Sequence, residues 1–246
     1  MYRFLLTPRW LGLAALALLL AAIMVGLGDW QLHRYRERAA INARIDSSAT
    51  GPAVPLASLG RQPPSAATEW TRVQATGRYD QSHETFARGR TLEGEVGYEV
   101  LTPLVLPDGS AVLVDRGWLA SPEGGALVMP RVAPVPGGAV TVVGRLHRPE
   151  SRADTPVRHT VRRISPAALR LPYPVYGGYV MLDTQTPAAD SALTPVPPGH
   201  ENSWQNAGYV VQWWAFAALT LFGYGYLARR EAHPPVSADR EGTVAG

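Results

Sequence analysis

The pattern of apolar and polar residues divides the chain into two long apolar runs and a mixed region between them. Residues 10–27 and residues 207–228 contain no charged side chain. At 1.5 Å rise per residue, a helix over the first run is about 27 Å long, close to the roughly 30 Å hydrocarbon core of a bilayer. The pattern therefore predicts two transmembrane helices, over residues 10–27 and 207–228.

The flanks of the two runs help to separate membrane anchors from other apolar helices. Arg3 and Arg9 precede the first run, as they would in a cleaved signal peptide. The run is longer than a usual signal core, however, and no A-x-A-like cleavage site follows it, so we predict an uncleaved anchor. Two tryptophans near one end of the second run and two tyrosines near the other form an aromatic belt, which favours a span over a buried core helix.

The placement of arginines indicates the orientation. Arg229 and Arg230 follow the second run, and no basic residue lies between Arg170 and its start. The positive-inside bias then places the C-terminus in the cytoplasm, and two spans place the N-terminus there too. Four arginines between residues 34 and 44 argue the other way, but the contrast around the second run is cleaner. The prediction is a multi-pass protein of the bacterial plasma membrane with cytoplasmic residues 1–9, an extracytoplasmic domain at 28–206 and a disordered cytoplasmic tail at 229–246.

The region between the spans has the signals of β-strands. Pro107-Asp108-Gly109-Ser110 joins two apolar, β-branched runs, and this is a strong hairpin signal because glycine supplies the positive φ of a tight turn. We expect an α+β membrane protein in which two transmembrane helices flank a β-rich extracytoplasmic domain. The predicted strands are residues 71–79, 98–106, 111–119, 139–146 and 178–183.

Three other segments have recognisable local signals. Residues 31–45 continue the first helix, and Glu37 can pair with Arg34 one turn earlier. Residues 47–67 are rich in Pro, Ser, Gly and Ala without periodicity, which predicts a linker wrapping the domain. Ser165 followed by Pro166 predicts the start of a short helix, because serine is preferred at the N-cap and proline at the first helical position.

The composition excludes several kinds of chemistry. The chain has no cysteine and no lysine, which removes disulfides, thiolate sites and Schiff bases. The six histidines have no metal-binding spacing, so no metal site is expected, and the net charge of +3 gives no nucleic-acid surface. Asp115 could act as a general base, but an aspartate paired with Arg116 or Arg78 is the preferred interpretation. We therefore do not expect an enzyme.

Three motifs occur in order along the chain. Residues 28–34 (GDWQLHR) follow the first span, residues 112–119 (VLVDRGWL) close the hairpin, and residues 206–214 (NAGYVVQWW) open the second span. Together they closely resemble the Surfeit locus protein 1 family, whose members are assembly factors for haem–copper cytochrome c oxidase. The resemblance covers about residues 20–228. The residues that carry it are Trp30, Gln31, Arg34, Asp115, Arg116, Gly117, Trp118, Tyr209, Gln212 and Trp213.

The resemblance implies a role in the maturation of oxidase subunit I, in concert with other assembly factors. It also implies transient binding of haem a, as in some bacterial members, with His33, Arg34 and Tyr209 near the haem. The arginines between residues 34 and 38 could pair with haem propionates, since guanidinium matches carboxylate geometry. Pairing with lipid headgroups or with Glu37 is the alternative.

One position departs from the family. In haem-binding relatives a histidine, the natural axial ligand, lies three residues before the tyrosine of the last motif, and here that residue is Asn206. His33 is a second candidate ligand and His200 a poorer one. We therefore hypothesise that the protein acts mainly by contacting oxidase subunits or another haem carrier. A membrane-anchored extracytoplasmic scaffold with a different client is the alternative function.

Several motif residues have structural interpretations. Trp30 and Trp213 are expected to anchor the membrane interface, and Gly117 is expected to permit a turn after its strand. Gln212 is expected to hydrogen-bond to the first helix. Two pairs of small residues in the first span, Ala17 with Ala21 and Ala22 with Gly26, are expected to form packing faces, so that a leucine at Gly26 would destabilise the helix pair.

Overall fold

The computed structural model describes residues 3–122, 128–150, 156–189, 193–200 and 202–233. The described part contains two long helices and eight strands, so the fold is α+β with a β-rich region, as predicted. The chain divides into two compact units, one made of Met1–Asn42 and Glu201–Gly246 and the other of Ala43–His200. The sheet unit is therefore shorter than residues 28–206.

The first helix, α1, runs without a break from Pro8 to Thr50. Pro8 lies in the first turn, where its missing N–H removes no intrahelical hydrogen bond. The predicted span and the predicted helical continuation thus form one element. The predicted linker starts too early, because the helix ends only where Gly51 and Pro52 cannot continue it.

The second helix, α2, runs from Trp204 to Ala232 and contains the second predicted span. Arg229 and Arg230 lie in its last turn, where positive charge interacts favourably with the helix dipole. The start of the predicted disordered tail is therefore helical, and residues 234–246 lie outside the described residues. Within the described part of the chain, α1 is the one helix with the length and mean hydropathy of a membrane span.

Within the helix-pair unit, α1 and α2 pack as an antiparallel pair. The rings of Trp10 and Tyr224 meet edge to face with centroids 5.9 Å apart, and Thr220 Oγ1 lies 3.8 Å from Met24 Sδ. Covered residues recur along α1 at alternating spacings of three and four, the period of a coiled-coil seam. These residues are Trp10, Ala14, Ala17, Ala21, Met24, Gly28 and Gln31.

The second unit contains the strands, and all five predicted strands are present in it. The turn at Pro107–Ser110 joins two of them as a hairpin, as predicted. The sequence does not predict the strand at Thr85–Leu92, because its Arg-Gly-Arg stretch breaks the alternation. The strands are β1 (Val54–Pro55), β2 (Arg72–Tyr79), β3 (Thr85–Leu92), β4 (Glu95–Val105), β5 (Ala111–Ala120), β6 (Val140–His147), β7 (Thr160–Val161) and β8 (Val175–Thr186).

Five of these strands close into a barrel. The ladder runs from β2 to β6, β8, β5 and β4, and β4 returns to β2 where Tyr79 pairs with Leu104. The pairing of β5 with β8 is parallel, whereas the other four are antiparallel. This connectivity is that of a five-stranded Greek-key barrel of the OB type. β3 and β7 extend the sheet beyond β4.

Both faces of the central strands β4 and β5 are covered, which explains their continuous apolar runs in the sequence. Val112 and Val114 of β5 belong to the interior cluster, together with Val180 of β8. Leu113 points to the other face, where it packs with Leu101 and other residues in a second buried cluster. The strand therefore has no solvent-facing side in its central part.

Two predicted irregular segments differ in detail from the structure. The predicted linker carries β1 and a 3-10 helix at Leu56–Leu59, whose Leu56 is buried in the barrel core. The predicted helix after Ser165 is a single 3-10 turn, Pro166–Leu169. The Ser165 side chain makes no capping hydrogen bond, and Arg170 ends the turn in the left-handed conformation.

Candidate functional site

The three motifs fall on both units. The first lies on α1 and the last on α2, in the helix-pair unit, whereas the middle one lies on β5 of the barrel. Each unit therefore has its own polar centre built on motif residues.

A polar cluster joins the two motifs of the helix pair. Asn206 donates from Nδ2 to Gln31 Oε1 at 2.8 Å, and Arg38 donates from Nη1 to Asn206 Oδ1 at 3.0 Å. Arg38 Nη1 also donates to the carbonyl oxygen of Asn202 at 2.9 Å. We call these four residues, Gln31, Arg38, Asn202 and Asn206, the helix clamp. Because the nitrogen and the oxygen of the Asn206 amide are both bonded, the clamp fixes the register of α1 against α2.

Close packing continues from the clamp along the seam. Gly28 is buried, and a Cβ at this position would overlap the indole of Trp214. Gly26 is exposed and has open space around it, so the expected packing role of Gly26 is wrong and Gly28 has that role instead. Gln212 is exposed, and its side chain makes no hydrogen bond to any described residue. The predicted bond from Gln212 to the first helix is therefore wrong as well.

The residues expected near haem lie on exposed helix surfaces. His33 Nε2 is 3.2 Å from Glu37 Oε1, and Arg34 Nη1 is 3.5 Å from Glu37 Oε2, so the predicted pairing of Glu37 with Arg34 is present. The side chains of His33 and Arg34 are 73% and 49% exposed. Tyr209 is also exposed, but no hydrogen bond or ring contact among the described residues joins it to either of them.

Aromatic side chains lie towards both ends of the helix pair. Trp30 and Trp204 are next to the clamp in sequence and are 56% and 80% exposed. Trp10 and Tyr224 meet towards the other end. Amphipathic rings in two such groups suit the two interfaces of a bilayer. Trp213 lies between them, half-buried and in edge contact with Phe216.

Position 206 does not fit a haem-iron ligand. A neutral carboxamide is not among the usual axial ligands, and both polar atoms of Asn206 already bond within the clamp. His33 is paired with Glu37, and His200 Nε2 lies 2.8 Å from Asp46 Oδ1. In the described ranges, no group of three or more His, Asp or Glu is arranged to hold a metal ion. The clamp is therefore a structural bridge between the helices.

The first charged residue of the middle motif is Asp115, which is buried within β5. Its Oδ1 accepts a hydrogen bond from the backbone N–H of Gly117 at 3.1 Å. Burial, and then the charge of Glu99, raise the pKa of Asp115 well above its ordinary value. The predicted pairing of Asp115 with Arg116 or Arg78 is wrong, since no described ion pair joins them. The strand continues to Ala120, so Asp115 lies in the interior of β5.

A partly buried ionic network near Asp115 was not predicted from the sequence. Arg90 donates from Nη1 and Nη2 to the two oxygens of Glu150 at 2.8 and 2.9 Å, and its Nε lies 3.0 Å from Glu99 Oε2. Burial raises the pKa of Glu99, an effect that Arg90 opposes. The three residues come from β3, β4 and the segment after β6, so no sequence spacing could have linked them.

Arg116 continues the inward-facing row of Val112 and Val114 towards one end of the barrel. Its side chain is 1% exposed, and its Nη1 donates to Glu84 Oε2 at 3.0 Å. The guanidinium carbon also lies 5.6 Å from the centre of the Tyr79 ring. The Nε and Nη2 atoms are buried and have no hydrogen-bond partner among the described residues. Among the described residues, Arg116 is therefore a buried cation with one carboxylate partner and two nitrogen atoms left without a partner.

Other polar side chains complete this end of the barrel. Thr102 donates from its hydroxyl to Glu84 Oε2 at 3.0 Å, and the Tyr79 hydroxyl donates to Gln185 Oε1 at 3.0 Å. Burial raises the pKa of Tyr79, so its hydroxyl stays a donor at neutral pH. We call Tyr79, Glu84, Thr102, Arg116 and Gln185 the barrel mouth. The sequence singled out Arg116 as a motif residue but not the partners it meets.

Gly117 and Trp118 change the neighbour of β5. The strand pairs with β8 as far as Asp115, and Trp118 then exchanges two 2.8 Å backbone hydrogen bonds with Thr194. Gly117 has φ 129°, and a Cβ there would lie 2.8 Å from the Thr194 carbonyl oxygen, so this position requires glycine. The Trp118 indole donates to the Arg90 carbonyl oxygen at 3.0 Å. Gly117 is therefore a junction within the strand and does not form the turn that was predicted.

Comparison with known proteins gives a consistent family assignment. A profile of the SURF1 family matches residues 18–218, which include all three motifs. An uncharacterised SURF1-like protein of Mycobacterium bovis is 33% identical over 239 residues, which are 93% of this chain and 86% of the relative. A SURF1-like protein of Monosiga brevicollis is 26% identical over 248 residues, covering 85% and 84% of the two chains. The cytochrome oxidase assembly protein SHY1 of Saccharomyces cerevisiae is 30% identical over 95 residues, covering 38% of this chain and 24% of the yeast protein.

Proposed function

Because the chain belongs to the SURF1 family, we propose that it is a non-catalytic, membrane-bound assembly factor for haem–copper cytochrome c oxidase. The observation that carries this proposal is the family match over residues 18–218, which takes in the whole barrel and much of both helices. A relative with a shorter match, SHY1 of yeast, is named as a cytochrome oxidase assembly protein. Subunit I and other assembly factors are the proposed partners.

Both helices of the pair cross the membrane in this proposal. Support comes from the contacts of α2, which meet the apolar run of α1 at Trp10, Met24 and Gly28. A bilayer that accommodates this run of α1 must therefore also accommodate α2 at the same depth. The mean hydropathy of α2 is lowered by Gln212, Trp213 and Trp214. Tryptophan rings are nevertheless favourable near the interfaces of a membrane.

The outer surface of the helix pair supports the same arrangement. Large apolar side chains are exposed along both helices, and a contiguous apolar surface of this kind normally marks a membrane or partner contact. The positive charges of Arg229 and Arg230 favour a cytoplasmic C-terminal end of α2, and in this proposal the barrel lies on the outer side of the bacterial plasma membrane. The exposed residues include Leu13, Leu16, Leu20, Ile23, Val211, Leu219, Phe222 and Leu227.

The protein acts, in this proposal, by contacting subunit I or another haem carrier and not by ligating haem a through position 206. Support comes from Asn206, whose amide is committed to the helix clamp. His33, Arg34 and Tyr209 are proposed as surface contacts for the client or for a transiently held haem a, because all three are exposed.

Deletion of the gene tests the assembly role. We expect membranes of the deletion strain to lose most of the reduced-minus-oxidised haem a band and of the oxidase activity, and the wild-type gene to restore both. A Gly26→Leu gene is a matched control that should restore them too, since this position has open space. An undiminished band with normal activity would contradict the proposal and favour a scaffold with another client.

Two further measurements test the membrane orientation and the proposal that the protein does not ligate haem a. A reporter fused after His233 should be active in its cytoplasmic form (green fluorescent protein) and inactive in its periplasmic form (alkaline phosphatase); the reverse result would overturn the orientation. The chain purified from haem a-producing cells should lack stoichiometric haem with histidine ligation. A histidine-ligated haem spectrum at one haem per chain would show that the protein ligates haem a directly.

A further inference from the structure

A cavity of about 270 Å³ lies beside β2 in the barrel unit. Its rim includes the exposed residues Ala57 and Thr76, whereas Leu56, Ala75 and Tyr176 are buried members of the interior cluster. The cavity therefore leads from the surface to the apolar core. It is lined by residues 55–57 where β1 ends, residues 74–76 of β2, residues 106–108 of the hairpin turn and Tyr176 of β8, all in the described part of the chain.

The cavity lies at a gap in the pairing of β2. One edge of β2 pairs with β6, and the other edge pairs with β1 at Val73 and Gln74 and with β4 at Arg78 and Tyr79. Among the described strands, none pairs with residues 75–77 on this second edge. We call residues 75–77 and the cavity beside them the β2 gap.

The backbone of Thr76 faces the gap. The Asp80 N–H donates to the Pro103 carbonyl oxygen on the β4 side at 2.8 Å, whereas the Thr71 carbonyl oxygen accepts from the Leu146 N–H on the β6 side at 3.0 Å. The polar backbone groups of a strand alternate between its two edges, so the even-numbered residues of β2 share the β4 side. Thr76 therefore directs its N–H and C=O into the gap.

Two prolines explain why the chain does not close this gap itself. Continuing the register in which Arg78 pairs with Val105 would place Pro107 opposite Thr76. Pro55, which pairs with Gln74, is the last residue of β1, and a 3-10 helix follows it. Proline has no N–H to donate to a strand edge. The backbone groups of Thr76 are therefore left open, and an open strand edge is a template for pairing with another chain.

The size and charge of the cavity indicate what it can hold. Small-molecule sites usually measure about 300–1,000 Å³, so a cavity of 270 Å³ suits one large side chain better than a whole cofactor. Asp108 is the one charged residue in its described lining, and its Oδ2 lies 2.6 Å from Arg61 Nη2. With this charge already paired, the lining favours an apolar group over a charged one.

We propose that the β2 gap is a docking site for a short extended segment of a partner polypeptide. The backbone of the segment pairs with Thr76. The next side chain along the segment enters the cavity, since successive side chains of a strand point to opposite faces. At about 3.4 Å per residue, the gap has room for about three residues. β1 already adds to the same edge of β2, and strand addition with a side-chain pocket is a general mode of peptide recognition.

Binding of a blocked tripeptide to the full chain in detergent, measured by nuclear magnetic resonance titration, tests this site. The probe has phenylalanine between two alanines, an acetyl group and a terminal amide. We expect saturable binding in the millimolar range, because the contact is far smaller than a standard protein interface. Blocked trialanine lacks the apolar anchor, and the probe methylated on both alanine nitrogens lacks the backbone donors. Each of these two peptides should bind at least ten-fold more weakly than the probe.

Two variants with matched controls locate the binding. Ala57→Phe fills the cavity from its exposed rim and should abolish binding, whereas Ala167→Phe changes an exposed alanine of the other 3-10 turn and should bind like the wild type. Thr76→Pro removes the N–H that faces the gap and should weaken binding at least ten-fold. Thr76→Val keeps this N–H and loses only the hydroxyl contact with Thr141, so it should bind normally.

Thermal unfolding shows whether each variant is folded, and Ala57→Phe supplies the answer if Thr76→Pro is not. Absence of saturable binding to the wild type would overturn the proposal. Equal binding of either control peptide, or unchanged binding to a folded Ala57→Phe, would overturn it too.

A second copy of the chain is the competing occupant. Sedimentation in detergent distinguishes it: a dimer that Ala57→Phe dissociates and Ala167→Phe does not would overturn the proposal and assign the gap to self-association. Binding of the tripeptide by a monomer supports a partner polypeptide. The site goes beyond the oxidase role, and none of these measurements depends on oxidase assembly, so the two proposals can fail separately.

Discussion

The helix clamp and the barrel mouth are both polar centres built on motif residues, but their polar groups are satisfied to different degrees. In the clamp, the nitrogen and the oxygen of the Asn206 amide both have partners, in Gln31 and Arg38. In the mouth, Arg116 keeps two buried donors without a described partner. An unsatisfied buried donor costs about 1–3 kcal/mol, and more when it is charged. The clamp is therefore a satisfied joint between helices, whereas the mouth keeps buried donors for which the described residues supply no partner.

The largest effect is expected at Gly117, which shapes the mouth. Gly117→Ala would place a methyl group 2.8 Å from the Thr194 carbonyl oxygen in a left-handed backbone conformation. We expect a loss of about 3 kcal/mol in the free energy of unfolding of the barrel unit, measured by chemical denaturation in detergent. Gly137→Ala, which meets open space, should change it by less than about 0.5 kcal/mol. Equal stability of the two variants would contradict the junction assigned to Gly117.

A second pair of variants compares the buried Arg116 with the partly buried Arg90, both in the barrel unit. Glu84→Gln removes the only described carboxylate partner of Arg116, whereas Glu150→Gln leaves Arg90 with Glu99. We expect Glu84→Gln to cost about 3 kcal/mol and Glu150→Gln to cost about 1–2 kcal/mol, because an uncompensated buried charge is the more costly. Denaturation curves measured side by side give the ranking. The reverse order would show that Arg116 has a further anionic partner in the free protein.

The packing of the helix pair is tested at two glycines of α1. Gly28→Leu would drive a side chain into the Trp214 indole, and overpacking of this kind costs about 1–3 kcal/mol. Gly26→Leu points into open space and should leave the helix pair unchanged. The temperature of unfolding in detergent should therefore fall for the first variant only. A loss of stability in the second variant alone would place the seam on the other face of α1.

The pH dependence tests Asp115, which lies in the same motif as Arg116. Its raised pKa means that the folded protein holds this proton more tightly than the unfolded chain does. The contribution to stability is therefore complete below the ordinary carboxyl pKa of about 4 and is lost as the pH rises through the raised value. Asp115→Asn keeps an acceptor for the Gly117 N–H and should flatten the fall of the unfolding temperature with rising pH. An unchanged pH profile would contradict the assignment.

The smallest effect is expected from the hydrogen bond within the clamp. A double-mutant cycle of Gln31→Ala and Asn206→Ala should give a coupling energy of about 0.6 kcal/mol, the average for hydrogen bonds between membrane helices. Pairing Gln31→Ala with Gln212→Ala provides the control, because Gln212 is exposed and should give no coupling. A coupling of zero in the first cycle would mean that the clamp does not hold the helices in register.

Much of the local structure could be predicted because its causes are local. The turn at Pro107–Ser110 depends on four consecutive residues, and the helix through residues 31–45 depends on side chains one turn apart. The prediction failed where the structure of a segment depends on residues that are far away in the sequence. β3 forms because β4 offers it a ladder of partners, although its own sequence alternates poorly. Gly28 packs and Gly26 does not because of the position of Trp214 on another helix.

The sequence by itself determined the two apolar runs, the hairpin, most strands and the motifs that mark the family, since these depend on composition, spacing and local conformation. Only the tertiary structure decided what the motif residues do. Arg116 meets Glu84, and Asn206 meets Gln31, because chain closure brings together residues that are far apart in sequence. Whether a buried polar atom has a hydrogen-bond partner depends on how the chain folds back on itself. For this reason the sequence alone could not distinguish the satisfied clamp from the unsatisfied mouth.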